Sequence, residues 1–499
     1  MNHFSGKRNN TNMKSKLLFS HSYFLRFDPK QWKNGQPYPP LGTLYAASWL
    51  REHGYRVALH DVQLTEGPEE LMSMLDKEEP DLFVLYDDGF NYLTKMCLTN
   101  MREAAFRMIA MARRAGCIVI VSSSDATDHY ADYLKAGAHF VLMGEAELTL
   151  LELAEALWEK QPDFDHIRGL VFMKDEKPFK TPARSVLKDL DSLPLPAWDL
   201  VDLAPYKKSW QETAGYFSLN VGTTRGCPFK CNWCAKPIYG NRYNVRTPEN
   251  VVAELKLLRE AFGVDHIWFC DDIFGLKPGW VEAFGDAMEA ENLRVRFKIQ
   301  SRADLLVQEK YVEALAKAGC EEVWMGAESG SQKILDAMDK GITVEQIAQA
   351  TSLLKQHGIK PCFFIQFGYP GETGEDIQKT IAMINTLLPH NIGISVSYPL
   401  PGTVFYENVK EELKQKANWS HSDELALMFK NTYPPPFYKH LHRYVHRNYR
   451  FHIAKDHLRR LIKSPAKVSW PVIKRSAAGI CMVPAMILTR IRLAQYQKS

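Results

Sequence analysis

The chain reads as an α/β protein made of two successive parallel-sheet units followed by a basic helical region. Three observations predict this. Short apolar runs alternate with helical periodicity twice over, from Leu17 to Lys160 and again from Phe217 to Tyr398. Between the two series the pattern breaks down and Leu193-Pro-Leu-Pro-Ala-Trp198 reads as an extended linker. Beyond Pro401-Gly-Thr403 the strands stop and the sequence turns helical, then strongly basic. A length of 499 residues exceeds what one compact core accommodates, so two or three domains are expected. A composition of 45% hydrophobic and 24% charged residues excludes a disordered or fibrous chain.

In order, residues 1–16 are a polar, basic tail. Residues 17–160 form the first unit. Its strands are Lys16 to His21, Tyr55 to His60, Leu82 to Tyr86, Cys117 to Val121 and Phe140 to Met143. Helices Leu44 to His53, Pro68 to Lys77, Met101 to Ala115, Ala131 to Ala136 and Thr149 to Lys160 alternate with them. Strands alternating with helices imply a parallel sheet covered on both faces, whose ligands sit beyond the carboxyl ends of the strands. Asp61, Asp87, Ser122 and Gly144 stand at those ends. Residues 161–212 are a linker carrying a hairpin, Gly169 to Lys180.

Residues 213–410 form the second unit, with strands Phe217 to Thr223, His266 to Cys270, Arg296 to Gln300, Glu322 to Met325, Lys360 to Phe367 and Ile392 to Tyr398. Helices such as Pro248 to Phe262 and Val344 to His357 lie between them. Six strand–helix repeats are too few for an eight-unit barrel and suit a partial (βα)6 barrel with function at the strand ends. Residues 411–499 are the helical basic region.

Nine cysteines, three of them within eight residues and six scattered through largely apolar segments, are no disulfide framework and fit a reducing compartment. No secretory signal precedes the first strand. The longest largely apolar stretch, Ser476 to Thr489, is shorter than the roughly 20 residues that span a bilayer. A cytoplasmic protein is expected.

Cys227, Cys231 and Cys234 form C-x3-C-x2-C in the loop after the first strand of the second unit. Thiolates are soft ligands that favour zinc or iron–sulfur clusters. Three of them are an incomplete set for a closed site, which leaves a position open for a reacting molecule. A structural zinc site is the alternative. Cys270 ends a different strand and reads as a core thiol.

Cys227-Pro-Phe-Lys-Cys231-Asn-Trp-Cys234, with Trp233 at the aromatic place, resembles the signature of the radical S-adenosylmethionine superfamily. Further segments match in order: Phe269-Cys-Asp-Asp-Ile-Phe274, Gln300-Ser-Arg302, Gly326-Ala-Glu-Ser-Gly330, Gly368-Tyr-Pro-Gly-Glu-Thr373 and Tyr398-Pro-Leu-Pro-Gly-Thr403. The resemblance implies a [4Fe–4S] cluster on the three cysteines that cleaves S-adenosylmethionine reductively to a 5′-deoxyadenosyl radical. It also implies that Phe229, Trp233, Asp271, Asp272, Ser301, Arg302, Glu328, Ser329, Gly368 and Tyr369 surround S-adenosylmethionine, Glu328 reaching its ribose hydroxyls.

The first unit is similar to the Rossmann-like cobalamin-binding domain joined to many such enzymes, on Pro39-Pro-Leu-Gly42, Leu50 to Asp61 and Gly144-Glu-Ala-Glu-Leu-Thr149. The anaerobic magnesium-protoporphyrin ester cyclase and the hopanoid methylases belong to that group. The resemblance implies cobalamin near Asp61, Ser122, Ser123, Ser124, Gly144 and Glu145. The chain departs from the family's pattern in two places. It has no D-x-H-x-x-G histidine, and Val121-Ser-Ser-Ser-Asp-Ala-Thr127 stands where paired glycines usually do. A supporting domain or a different ligand is the alternative there.

The activity implied by the resemblance is C-methylation of an unactivated carbon, with ring closure as the alternative and a non-catalytic zinc scaffold as the rival of another class. A methylthiotransferase is disfavoured, because only Cys97 and Cys117 precede the second unit. The partners implied are a lipid-like or tetrapyrrole small molecule and a reductant such as flavodoxin or ferredoxin. From Lys439 to Arg475 the single acid is Asp456. Peripheral contact with an anionic membrane competes there with a merely solvated face, and nucleic-acid binding ranks below both.

Overall fold

A computed structural model of the protein describes residues 15–236, 238–413, 418–463 and 481–498. The expected tail over 1–16 therefore falls almost wholly outside the described residues, as do parts of the basic region.

Seven strands make the first sheet: β1 (Lys16–Ser20), β2 (Arg56–His60), β3 (Leu82–Tyr86), β4 (Ile118–Ser122), β5 (Phe140–Leu142), β6 (Leu170–Lys174) and β7 (Lys177–Lys180), in the order β2-β1-β3-β4-β5-β6-β7. The pairs from β2 across to β5 are parallel. Residues of β3 and β4 are buried throughout because helices cover both faces. Successive side chains point to opposite faces, so Leu17, Phe19, Leu82 and Val84 enter one core while Leu18, Phe83, Leu85 and Val119 enter the other.

Two features differ from expectation. The hairpin Gly169 to Lys180 is not a free part of a linker: β6 pairs antiparallel with β5 through Phe140 and Phe172, and extends the sheet. Its inward face (Leu170, Phe172) is apolar, which makes that docking favourable. An extra short helix, Ser124–Asp128, follows β4 because the Ser123 hydroxyl accepts from Ala126 N at 2.8 Å.

The second sheet runs β15-β14-β13-β12-β11-β8. Its strands are β8 (Ser218–Val221), β11 (His266–Phe269), β12 (Arg296–Ser301), β13 (Cys320–Glu328), β14 (Lys360–Phe367) and β15 (Asn391–Val396). Two short strands, β9 (Thr224–Arg225) and β10 (Asn244–Val245), form a separate antiparallel pair. Helix Pro248–Phe262 starts where the Thr247 hydroxyl accepts from Asn250 N, and stops at Gly263 in the left-handed region. Helices Val344–Gln356 and Gly374–Leu387 each begin with a capping box, Thr343 with Gln346 and Thr373 with Asp376.

The chain divides into two compact units. One comprises residues 1–229, 235–297 and 418–424; the other comprises 230–234, 298–417 and 425–499. In the second, helix Pro435–Lys463 is anchored by the Tyr449 hydroxyl, which donates to Pro389 O and His390 O at 2.8 Å. A last helix spans Val483–Lys498. Among the described residues no helix is long and apolar enough to cross a membrane.

In the first unit the Asp125 carboxylate accepts from Arg102 Nε at 2.7 Å and from the Tyr133 hydroxyl at 2.7 Å. Burial opposes its ionisation, yet the bonds from Arg102 and His129 hold it well below the usual carboxylate range. A carboxylate depressed in the folded state contributes stability above its unfolded pKa and loses it on acidification. Unfolding temperature is therefore expected to drop below about pH 4 as Asp125 protonates, and Asp125→Asn should flatten that limb while costing about 3 kcal/mol at neutral pH. In the second unit a Cβ on Gly330 would stand 2.5 Å from Lys379 O and 2.8 Å from Thr380 Cα, both backbone atoms that cannot yield cheaply. Gly330→Ala should cost about 1–3 kcal/mol in denaturant unfolding.

Candidate functional site

The cysteine loop leaves β8 and is pinned at its base. Arg225 pairs with Asn244 and Thr224 with Val245, closing the stem of the loop. Gly226 has φ 81°, and a Cβ there would collide with the carbonyl of Arg242, so only glycine can stand before Cys227. Cys227 is buried and its N–H reaches Gly240 O at 3.5 Å. Phe229, predicted beside the cofactor, uses its carbonyl to accept from Lys236 Nζ.

Within the loop the chain passes from one unit to the other, so Cys227 belongs to the first and Cys231 and Cys234 to the second. In the second unit Asn232 is the anchor. Its N–H donates to Met338 O at 3.1 Å, its side-chain amide donates to Ala337 O at 2.7 Å and accepts from the Tyr369 hydroxyl at 2.7 Å. Phe405 N donates to Asn232 O at 2.9 Å. Tyr369 thus holds the cysteine loop, a role its place in a turn did not announce.

None of the nine cysteines is in a disulfide. Among the described residues no three His, Cys, Asp or Glu side chains are drawn together closely enough to hold a metal ion. What surrounds the second part of the loop suits soft anionic donors. Arg302 Nη1 lies 3.9 Å from Cys231 Sγ. Lys340, a residue that no sequence motif singles out, stacks over the Trp233 ring at 5.8 Å and bonds Glu328 at 2.9 Å. Burial would lower the Lys340 ammonium, but Glu328 and Cys231 raise it above its ordinary value. Ser301 Oγ and Trp233 Nε1 are buried polar atoms without a partner, so both are available to a bound polar molecule. Ser329 is spent internally, with its hydroxyl 3.1 Å from that of Thr380. Gly368 has φ 76°, its N–H donating to Glu372 and its carbonyl accepting from Asn431.

The other strand ends belong to the first unit. Asp271 accepts from Thr223 N, the Thr223 hydroxyl and Thr224 N at 2.6–2.8 Å, so both its oxygens tie the end of β8. Burial nonetheless pushes it up to about 6. Asp272 is partly exposed and pairs with Lys95 at 3.1 Å. Cys270 is a buried thiol against Val221 O, and burial pushes its pKa well up.

On the first sheet, Asp61 accepts from the Tyr206 hydroxyl at 2.6 Å and lies 2.9 Å from His21 Nε2. Ser122 O accepts from Asp87 N, and Ser123 caps the short helix. Glu145 takes one arm of Arg225 at 2.5 Å while Glu147 takes the other at 2.7 Å. That guanidinium is fully buried and ringed by Tyr45, Phe90 and Tyr239 at 5.2–5.8 Å. Gly144 has φ 71°. Ser124 Oγ and the Tyr23 hydroxyl are buried without partners. Ser22, Tyr23, Asp87, Arg102, Asp125 and Tyr133 line a cavity of about 10 Å³, room for roughly one water.

Residues 221–384, which carry the cysteine loop and most strand ends of the second sheet, match the profile of the Radical SAM superfamily. An uncharacterised methyltransferase of Pyrococcus horikoshii is 29% identical over 396 residues, covering 76% of this chain and 81% of the relative. The anaerobic magnesium-protoporphyrin IX monomethyl ester cyclase of Synechocystis is 27% identical over 329 residues, covering 64% and 63%. Among solved structures, the radical S-adenosylmethionine methyltransferase TsrM of Kitasatospora setae, with cobalamin and a [4Fe–4S] cluster bound, overlays with a TM-score of 0.66 at 20% identity, covering 80% and 78%. Its likeness bears on the fold. Residues 221–384 are thus a radical SAM domain, and the chain is an enzyme of that type, whose cofactors are a [4Fe–4S] cluster and S-adenosylmethionine.

Proposed function

We propose that this enzyme methylates an unactivated carbon of a small molecule, with Cys227, Cys231 and Cys234 holding the cluster and cobalamin as a further cofactor. The observation that carries the reading is the three-thiol loop at the head of the matched segment, with two buried cations beside its second half. The cluster, when bound, supplies the electron that splits the sulfonium of S-adenosylmethionine. The chain's own residues bind and orient. Arg302 Nη1 faces Cys231 Sγ. Glu328 offers a charged acceptor to ribose hydroxyls, and Ser301 Oγ and Trp233 Nε1 are free to meet polar groups of the same molecule. Gly368 and Tyr369, in the turn after β14, and Phe229 and Asp272 are proposed as further contacts of S-adenosylmethionine. Asp271 and Ser329, proposed beside the same molecule, also support the turns in which they stand.

Cobalamin, when bound, supplies a carrier for the methyl group. Asp61, Ser122, Ser123, Gly144 and Glu145 would frame it through the loops they hold, and Ser124 Oγ with the Tyr23 hydroxyl would serve its polar periphery. The methyltransferase relative and TsrM support methylation; the cyclase relative supports ring closure as the alternative, and a tetrapyrrole-type substrate for either reaction. An external one-electron reductant of the flavodoxin or ferredoxin kind completes the system.

The C-terminal helices support a further partner, an anionic membrane surface. Ile487, Leu488 and Ile491 are 50–63% exposed on one helix beside Arg490 and Arg492. From His457 onward the chain has no acidic residue.

Anaerobically prepared protein is expected to contain iron, labile sulfide and cobalt, and to form 5′-deoxyadenosine with dithionite. Cys227→Ala, Cys231→Ala and Cys234→Ala should each abolish that product; retention in all three, or zinc without sulfide, would sink the reading. Flotation with anionic liposomes should recover the wild type and lose the Ile487→Ser/Leu488→Ser/Ile491→Ser variant, whereas equal recovery of both excludes membrane contact through this helix.

A further inference from the structure

In the second unit one ammonium stands where two anionic groups converge. Lys340 Nζ is 2.9 Å from Glu328 Oε1, and the side chains are only 8% and 6% exposed. A Cβ on Gly326 would come within 2.6 Å of Nζ and 2.7 Å of Glu328 Oε1, so the ion pair fills the space a side chain at 326 would need. Glu328 itself sits at φ 55°, in the left-handed region that non-glycine residues rarely adopt, just where β13 is interrupted by a register shift between Gly326 and Glu328. Something must hold the carboxylate in that pose, and Lys340 donates the hydrogen bond that does so.

The lysine is fixed in turn. Arg302 Nη2 donates to Lys340 O at 2.8 Å, while its Nε donates to Asp304 at 3.0 Å and its Nη1 faces Cys231 Sγ. Arg302 therefore connects the backbone of Lys340 to the cysteine loop, and Trp233 of that loop packs against the ammonium. A buried lysine needed only for stability would require one carboxylate. This one also lies in the field of Cys231 and against the aromatic ring of the signature.

Resting on the function proposed above, we infer that Lys340 is a positioning residue with two effects: it fixes Glu328 for the ribose of S-adenosylmethionine, and its charge raises the reduction potential of the cluster held through Cys231. A cation close to a cluster favours the reduced form, which carries one more negative charge. An ion pair that restrains a carboxylate in one rotamer lowers the entropic cost of binding the hydroxyls.

The test compares reconstituted wild type with Lys340→Gln and Lys340→Arg. The readouts are iron and sulfide content, midpoint potential by redox-titrated electron paramagnetic resonance, and KM and kcat for 5′-deoxyadenosine formation. Lys340→Gln is expected to keep its iron and sulfide, to shift the midpoint to more negative values and to raise KM for S-adenosylmethionine about tenfold or more. Lys340→Arg should restore the potential but not the whole of KM, because the guanidinium overfills the space over Gly326. Should Lys340→Gln not fold, the neutral pair Glu328→Gln/Lys340→Met leaves no unpaired buried charge and is compared with Glu328→Gln alone, which keeps the ammonium; the double variant must show the more negative midpoint. Unchanged potential and unchanged KM at equal cluster content overturn the inference. Absence of labile sulfide from the wild type would overturn instead the reading beneath it.

Discussion

Parallel strands impose a common exit. Where neighbouring strands run the same way, as β1 does beside β2 and β3 and as β14 does beside β13 and β15, all their chains leave at one edge. Backbone groups there have lost the ladder that satisfied them, and the loops must supply replacements. The cysteine loop, Asp271, Glu328, Gly368, Asp61 and the Ser122–Ser124 segment all stand at such exits. The residues proposed for the chemistry are therefore concentrated where regular hydrogen bonding ends.

The same edges are where charge is taken out of water, and each buried ion is answered locally. Arg225 meets Glu145 and Glu147 on its two arms and aromatic faces around its plane. Asp125 meets Arg102, Tyr133 and His129. Glu328 meets Lys340. Desolvating such groups costs several kcal/mol per ion, which the pairing must offset, and breaking a pair leaves the survivor exposed to the full penalty. Such pairs add little net stability over apolar packing. Their value is that each side chain has one acceptable position.

What residues alone reveal depends on how local the signal is. The three thiols, their spacing and the aromatic residue at 233 are a chemical pattern confined to eight residues, so they are visible in the sequence, as is the helix of Pro248 to Phe262 between its threonine cap and its glycine stop. Most strand ends are legible to within two residues, but β13 runs three residues beyond the Met325 expected and ends at Glu328 itself. Direction is not legible. Asp271 turns both oxygens onto Thr223 and Thr224, and nothing in Phe269-Cys-Asp-Asp-Ile-Phe274 separates it from the partly exposed Asp272. Lys340 escapes a sequence reading because its partner lies twelve residues back and they meet only after an intervening helix. Arg225 escapes for a similar reason, since a lone arginine before Gly226 carries no periodicity. Ser122 to Ser124 read as a ligand loop, but Ser123 first serves as a helix cap.

The hairpin that extends the first sheet bears on the protein's behaviour at high concentration. A sheet left open at β5 would present an apolar strand ready to pair with any extended peptide. With β6 and β7 added, the outermost strand is Lys177-Pro-Phe-Lys180, exposed along its length. Its proline has no N–H to offer a newcomer, and its two lysines would be forced against their own kind if a second copy tried to align. The border of the sheet thus resists fibril-like growth, a safeguard independent of any chemistry at the opposite ends of the strands.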